Sequence, residues 1–251
     1  MALFEIHGLV KRFFGVTAVD GVDLALERGE LVSLIGPNGS GKTTLFNCVT
    51  GYLPVDGGRV VYRGEDVTGA PPHRVARLGV GRTFQIVSVF PRLTALENLL
   101  VFLQQHQEES FPGRLFRTGR VRRFEREALD RAAALLDLVG LASHAATRAG
   151  HLSYGQRKLL AFAAALMPDP ELILLDEPAA AVNPTMINQM KDRIRALHRA
   201  GKTVLLVEHN MDVVMDISER IVVLDHGQKI AEGPPDAIRR DPRVIEAYFG
   251  T

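Results

Sequence analysis

One cysteine, Cys48, in 251 residues excludes an internal disulfide framework and suits a reducing cytoplasm. An excess of one charge sign is also lacking. Thirty Lys and Arg face 29 Asp and Glu, and a net +1 is no footprint for a polyanion. No apolar run approaches the ~18 residues of a membrane-spanning helix. The first ten residues carry Glu5 and His7 where a signal peptide would have its apolar core. What is present is ordinary for a globular chain, 46% hydrophobic and 24% charged. A chain of this size buries roughly 70% of its unfolded surface, so the core needs no staple. These features exclude a disulfide-bonded mini-protein, a membrane span and a disordered tail. They name no activity.

Apolar periodicity supplies the architecture. Val22, Leu24 and Leu26 alternate with Asp23, Ala25 and Glu27, as in a half-buried strand. After the turn at Arg28-Gly29-Glu30, Leu31 to Ile35 is an apolar run broken only by Ser33, the pattern of a strand buried on both faces. Leu172–Leu175, Thr203–Val207 and Ile221–Leu224 repeat it. Ile187, Met190, Ile194 and Leu197 form one helix face, which Gly201 ends. Buried strands alternating with amphipathic helices predict an α/β fold on a mainly parallel sheet. Asp56-Gly57-Gly58 reads as a turn between N-terminal strands, predicting an antiparallel β subdomain. From Thr94 to Leu141 the pattern is helical, through Leu96, Leu99, Leu100 and Leu103, then Leu129, Ala132, Leu135, Leu136 and Val139. This predicts a helical subdomain at about 94–149, inserted into a core formed by 1–93 and 150–251.

Gly36-Pro37-Asn38-Gly39-Ser40-Gly41-Lys42-Thr43 has the phosphate-loop spacing, follows the strand Leu31–Ile35 and leads into a helix beginning near Thr44. Such glycines let backbone N–H groups converge on phosphate oxygens, with a helix N-terminus behind them. Lys42 is then expected to reach the β- and γ-phosphates, and Thr43 to ligate Mg²⁺. Gly201-Lys202-Thr203 copies the end of the motif, but Ala196 occupies the first glycine position and a strand follows. It is a helix stop. The guanine-reading Asn-Lys-x-Asp pattern is absent, which argues against a GTPase.

Leu172-Ile-Leu-Leu-Asp176-Glu177-Pro178 is an apolar strand ending in two carboxylates. The first is suited to Mg²⁺ through water, the second to polarising an attacking water. Ser153 and Gln156 have the spacing of a capping box before a helix, but Ser153, Gly155 and that helix N-terminus could equally form a second phosphate site. The residues themselves leave both readings open.

In this order the motifs resemble those of the ABC-type ATPases, over most of the chain. Gly36–Thr43 looks like Walker A, Gln85 like the Q-loop glutamine that also approaches the metal, and Leu152–Gln156 like the family signature. Asp176 looks like the Walker B aspartate, Glu177 like the catalytic glutamate and His209 like the switch histidine. The resemblance implies a P-loop NTPase core with ATP and Mg²⁺ as ligands. It also implies two copies paired head to tail, with Ser153, Gly155 and Gln156 of one facing ATP on the other. Tyr154 replaces the signature's usual glycine, and Asn183 stands where many members have aspartate. With Arg82-Thr-Phe-Gln85, Val207-Glu-His-Asn-Met211 and Val244-Ile-Glu-Ala-Tyr-Phe-Gly250, these features look most like ATPase subunits of branched-chain amino-acid importers, or their urea and amide relatives. An aromatic of the first strand usually stacks on adenine in this family. Phe13 fits by its offset from Gly36, with Phe14 the alternative, and a core role is open to either.

The expected partners are transmembrane permease subunits, a second ATPase subunit (identical or paralogous) and, indirectly, a solute-binding protein, at the cytoplasmic face of the membrane. The apolar Ile86, Val87, Val89, Phe90 and Leu93 are either core or a docking surface for the permease. Arg114, Arg117, Arg120, Arg122, Arg123 and Arg126 read first as a solvated helical face, second as a surface for a membrane partner or anionic headgroups. Glu108, Glu109, Glu125, Glu127 and Asp130 offset them, against a nucleic-acid partner. Cys48 reads as a packed small hydrophobe. His73, His106, His144, His151 and His198 lie at no metal-ligand spacing. The alternatives are an ATPase of a lipid or lipopolysaccharide exporter and a soluble ABC ATPase outside transport.

Overall fold

The computed structural model describes residues 2–83, 89–104 and 119–249. Gln85, Ile86, Val87, His106, Glu108, Glu109, Phe111, Arg114, Phe116 and Arg117 lie outside these residues. The chain divides into two compact units, one of Met1–Arg82 with Glu171–Thr251 and one of Thr83–Pro170.

The first unit holds two sheets. Strands β1 (Phe4–Phe13), β2 (Val16–Leu26), β4 (Gly57–Tyr62) and β5 (Glu65–Asp66) form an antiparallel sheet in the order β2-β1-β4-β5. The second sheet has the order β10-β9-β3-β8-β7-β6, with β3 (Leu31–Ile35), β6 (Val80–Arg82), β7 (Leu172–Asp176), β8 (Thr203–Val207), β9 (Arg220–Asp225) and β10 (Gln228–Gly233). All its neighbours are parallel except β9 and β10. The apolar runs occupy its centre, and every residue of β3, β7 and β8 is buried. One face of this sheet packs on the antiparallel sheet with α1 (Lys42–Val49) and α2 (Pro72–Arg77), the other on later helices, so even Ser33 of β3 is buried, its Oγ 2.6 Å from Ser218 Oγ. Val22, Leu24 and Leu26 of β2 are buried and Asp23, Ala25 and Glu27 exposed, as their alternation predicts.

Asp56-Gly57-Gly58 does not turn a hairpin. Gly57 starts β4 and pairs with Val10, while the β1–β2 reversal is at Phe14-Gly15. The glycine at 58 serves a close approach instead, since a Cβ there would lie 2.4 Å from the Gly8 carbonyl oxygen. Asp56 accepts from the Arg12 backbone N–H at 2.6 Å and from Lys11 Nζ at 3.2 Å, which ties the strand start to β1.

The second unit is helical, with α3 (Ala95–Gln104), α4 (Gly119–Leu138) and α5 (Tyr154–Leu166) and single 3₁₀ turns at Ala142–His144 and Ala149–His151. It is wider than the expected 94–149 because α5 packs against α3 and α4. Leu99, Ala132, Leu136 and Val139 are buried, but Leu129 is 44% exposed. Ala128 takes the inward position instead, four residues before Ala132 on the same helix face. No described helix is long and apolar enough to cross a membrane.

Candidate active site

Parallel strands place their C-terminal ends on one edge, where open α/β sheets bind ligands. β3 runs into the Gly36–Thr43 loop, β7 ends at Asp176, and β8 is followed by Glu208 and His209. The register sets Asp176 against Val207, and the Glu177 N–H donates to the Val207 carbonyl at 2.9 Å. Two adjacent carboxylates, Asp176 and Glu177, and His209, all distant in sequence from the loop, therefore emerge beside it.

The loop itself requires glycine at two positions for reasons of space. A Cβ on Gly36 would meet the Leu224 carbonyl oxygen at 2.0 Å, and one on Gly41 the Ala18 carbonyl oxygen at 2.2 Å. Both obstacles are backbone and cannot swing away. Gly41 also has φ +100, a left-handed conformation that turns the chain into α1 (Lys42–Val49). The α1 N-terminus has no side-chain cap, whereas Asn183 and Asn210 cap α6 (Pro184–Arg199) and α7 (Met211–Ile217). Uncapped first-turn N–H groups suit an anionic ligand. Lys42 Nζ donates to the carbonyls of Gly36 and Pro37, both at 2.9 Å, and to Ser40 Oγ at 3.1 Å. Burial pushes the Lys42 ammonium below its ordinary pKa, and the charges of Glu177 and Asp176 act in the opposite direction. A cation held by neutral carbonyls and facing two carboxylates is suited to exchange those carbonyls for phosphate oxygens.

Glu177 adopts φ +50, rare for a residue with a Cβ. Such a conformation costs about 1–2 kcal/mol and persists only where surrounding contacts enforce it. It turns Glu177 off the strand end, and Oε1 lies 2.9 Å from His209 Nε2. Asp176 stays behind in the core at 3% exposure. Burial raises its carboxyl pKa, and the Arg82 guanidinium opposes that rise.

Arg82 was legible in the sequence only as part of a family string. Its buried side chain contacts Asp176 Oδ2 at 3.3 Å, Asn47 Oδ1 at 2.8 Å, Thr50 Oγ1 at 2.6 Å and the Phe46 carbonyl at 3.2 Å. Its guanidinium also lies 5.7 Å from the Phe46 ring centroid and 5.5 Å from that of Tyr52. The candidate metal-binding carboxylate is thus fixed to helix α1, which also carries Lys42 and Thr43. The one available signal was an arginine ending a short buried strand, a position that demands a partner.

The oxygens present fit Mg²⁺. Thr43 is exposed at the start of α1 and Asp176 ends β7. Among the described residues, no group of three or more His, Cys, Asp or Glu side chains could hold a metal. Mg²⁺ does not need one, because it takes one or two protein oxygens and completes its shell with phosphate and water.

In the other unit, Ser153 and Gln156 form the expected capping box. The Gln156 N–H donates to Ser153 Oγ at 3.2 Å, and the Ser153 N–H to Gln156 Oε1 at 2.9 Å. Gln156 Nε2 also lies 3.0 Å from His144 Nε2, while Ser153 and Tyr154 face solvent. At the β1–β2 reversal the Phe14 ring is fully exposed, and Phe13 is partly exposed with Lys11 Nζ 5.3 Å from its ring centroid. Cys48 is buried, with its thiol pushed up to about 11 by burial, as suits a packing residue.

Comparisons with known proteins give the family. Residues 19–180 match the ABC transporter family, and residues 228–251 match the branched-chain amino acid ATP-binding cassette transporter family. The high-affinity branched-chain amino acid transport ATP-binding protein BraF of Pseudomonas aeruginosa is 47% identical over 99% of this chain and 98% of its own. The corresponding protein LivG of Escherichia coli is 44% identical over the same shares. A crystal structure of the ADP conformation of an ABC transporter's ATP-binding cassette superposes with TM-score 0.86, at 35% identity and full coverage of both chains. A dimeric cassette in a post-hydrolysis state with ADP and Pi matches 92% of this chain and 98% of its own, at 27% identity and TM-score 0.78. The chain therefore belongs to the ABC transporter family, as one of its ATP-binding, ATP-hydrolysing subunits.

Proposed function

We propose that this subunit powers import of branched-chain amino acids, or of related small amides and urea, from the cytoplasmic face of a membrane. Its ATP site is completed by a second ATPase subunit, identical or paralogous. The observation that carries the hydrolytic reading is the 2.9 Å contact between Glu177 Oε1 and His209 Nε2 beside the phosphate loop. Glu177 accepts the proton of the attacking water, and His209 holds that carboxylate while facing the γ-phosphate. Lys42 leaves the Gly36 and Pro37 carbonyls for phosphate oxygens, with Pro37, Asn38, Gly39, Ser40 and Thr44 shaping the cradle. Thr43, Asp176 and Gln85 would hold Mg²⁺, which when bound would supply charge neutralisation at the phosphates. Phe13, or Phe14, offers a ring to the adenine. Ser153, Gly155 and Gln156 of the second copy close over the γ-phosphate, as the pairing in the dimeric relative supports. The solute class rests on the relatives and on the match over residues 228–251.

Coupling to the permease is assigned to the surface around Phe90. This ring is 49% exposed, while the Phe90 backbone is fixed by Asn98, whose Oδ1 accepts from its N–H at 2.7 Å. Phe90→Asp is therefore expected to keep the thermal transition within about 2 °C, because an exposed charge costs little. ATP turnover of the isolated subunit stays within about threefold of wild type, whereas copurification with the permease and solute uptake are lost. An unfolded variant, or one with normal uptake, removes Phe90 from the docking surface.

A further inference from the structure

Glu208 has no place in the assignments above, yet it is a carboxylate only 2% exposed, between a buried strand and His209. Its Oε1 accepts from the Ala179 N–H at 2.6 Å. Its Oε2 accepts from the N–H groups of His209, at 3.0 Å, and Asn210, at 3.3 Å. One side chain thus joins the backbone two residues beyond Glu177 to the backbone of His209 itself. Beside it, the Glu177 N–H reaches the Val207 carbonyl at 2.9 Å, and the Ala180 N–H returns to the Glu177 carbonyl at 3.2 Å. The left-handed turn at Glu177, φ +50, lies inside this frame.

We infer that Glu208 is a positioning residue, whose carboxylate sets the two loops so that Glu177 and His209 meet over the phosphate loop. The chemistry demands a carboxylate. Three N–H donors converge on two oxygens, and an ionised carboxylate is an acceptor throughout. A glutamine offers one oxygen and turns an NH₂ group toward N–H donors, so at least one loop must move. Misplacing a catalytic group by about 1 Å costs on the order of 100-fold in rate. The inference rests on Glu177 and His209 being the hydrolytic pair.

The test uses the full chain with Glu208→Gln and Glu208→Asp. In Glu208→Gln, kcat for ATP is expected to fall about 10- to 100-fold with KM within about twofold, because the phosphate loop is untouched. Without nucleotide, the His209 ring resonance (identified by its loss in His209→Gln) shifts or splits in the NMR spectrum. Glu208→Asp keeps the charge but withdraws it by one methylene, and shows the same changes at smaller amplitude. A folded Glu208→Gln variant with wild-type kcat and an unmoved His209 resonance overturns the inference. So does a rate loss that tracks only the unfolded fraction, or failure of both variants to fold, since each marks a purely structural role. If Glu177→Gln keeps full turnover, the hydrolytic assignment fails instead, and the resonance still reports whether Glu208 places His209.

Discussion

Glu177→Gln is expected to lower ATP turnover by about 10²- to 10⁴-fold, the range for loss of a general base. ATP affinity stays within about twofold, because the amide occupies the same space and the Lys42 cradle lies on another strand end. The substitution removes the proposed proton acceptor while leaving the Oε1 contact available to His209 Nε2, 2.9 Å away in the native chain. Binding and hydrolysis therefore separate. With ATP and Mg²⁺ the variant accumulates in a form that binds nucleotide without consuming it, and size-exclusion chromatography shows that form as a dimer. Phosphate release at the wild-type rate removes Glu177 as the base.

The largest effect on stability is expected at Arg82. Its side chain is 7% exposed and that of Asp176 3% exposed, and removing one partner of a buried ion pair costs about 3–5 kcal/mol. At this chain length each kcal/mol moves the thermal transition by about 2–4 °C, so Arg82→Met lowers Tm by roughly 10 °C. The Thr50, Asn47 and Phe46 acceptors lose their donor as well, which adds to the loss. Neutralising the survivor, in Arg82→Met with Asp176→Asn, restores much of the lost stability but no turnover. Thermal melts of the two single variants and the double variant measure the coupling. Additive losses would contradict the ion pair as the main source of the destabilisation.

Sequence reasoning succeeded where one local pattern had one physical solution. Leu31–Ile35 and Thr203–Val207 are strands over those same residues, because a mostly apolar run between turns fits the centre of a covered parallel sheet. Ser153 with Gln156 became a capping box because both partners lie within one helical turn. Asn183 keeps the cap an aspartate would give, accepting from the Met186 N–H at 2.9 Å. Asp56-Gly57-Gly58 has the composition of a turn, but Gly58 answers to the Gly8 backbone on another strand. Local composition does not carry that information. Arg82 and Glu208 escaped for the same reason. Each is a single residue at a strand end, and its partners, Asp176 and Ala179, are brought near only by strand order. Leu129 faces outward, against its apolar spacing, because α4 turns its smaller neighbour Ala128 toward the core.

The proposed site of ATP hydrolysis is shared between two copies, with Lys42 supplied by one and Ser153 by the other. Mixing a Lys42→Ala chain with a Ser153→Arg chain tests it most directly. Each variant alone forms only defective sites, whereas their mixed dimer contains one site with native Lys42 and native Ser153. Phosphate release from the mixture, measured on verified mixed dimers, is expected to exceed that of both parents by about tenfold or more, given the scale of single catalytic-group losses. A verified mixed dimer no more active than its parents would contradict the shared site.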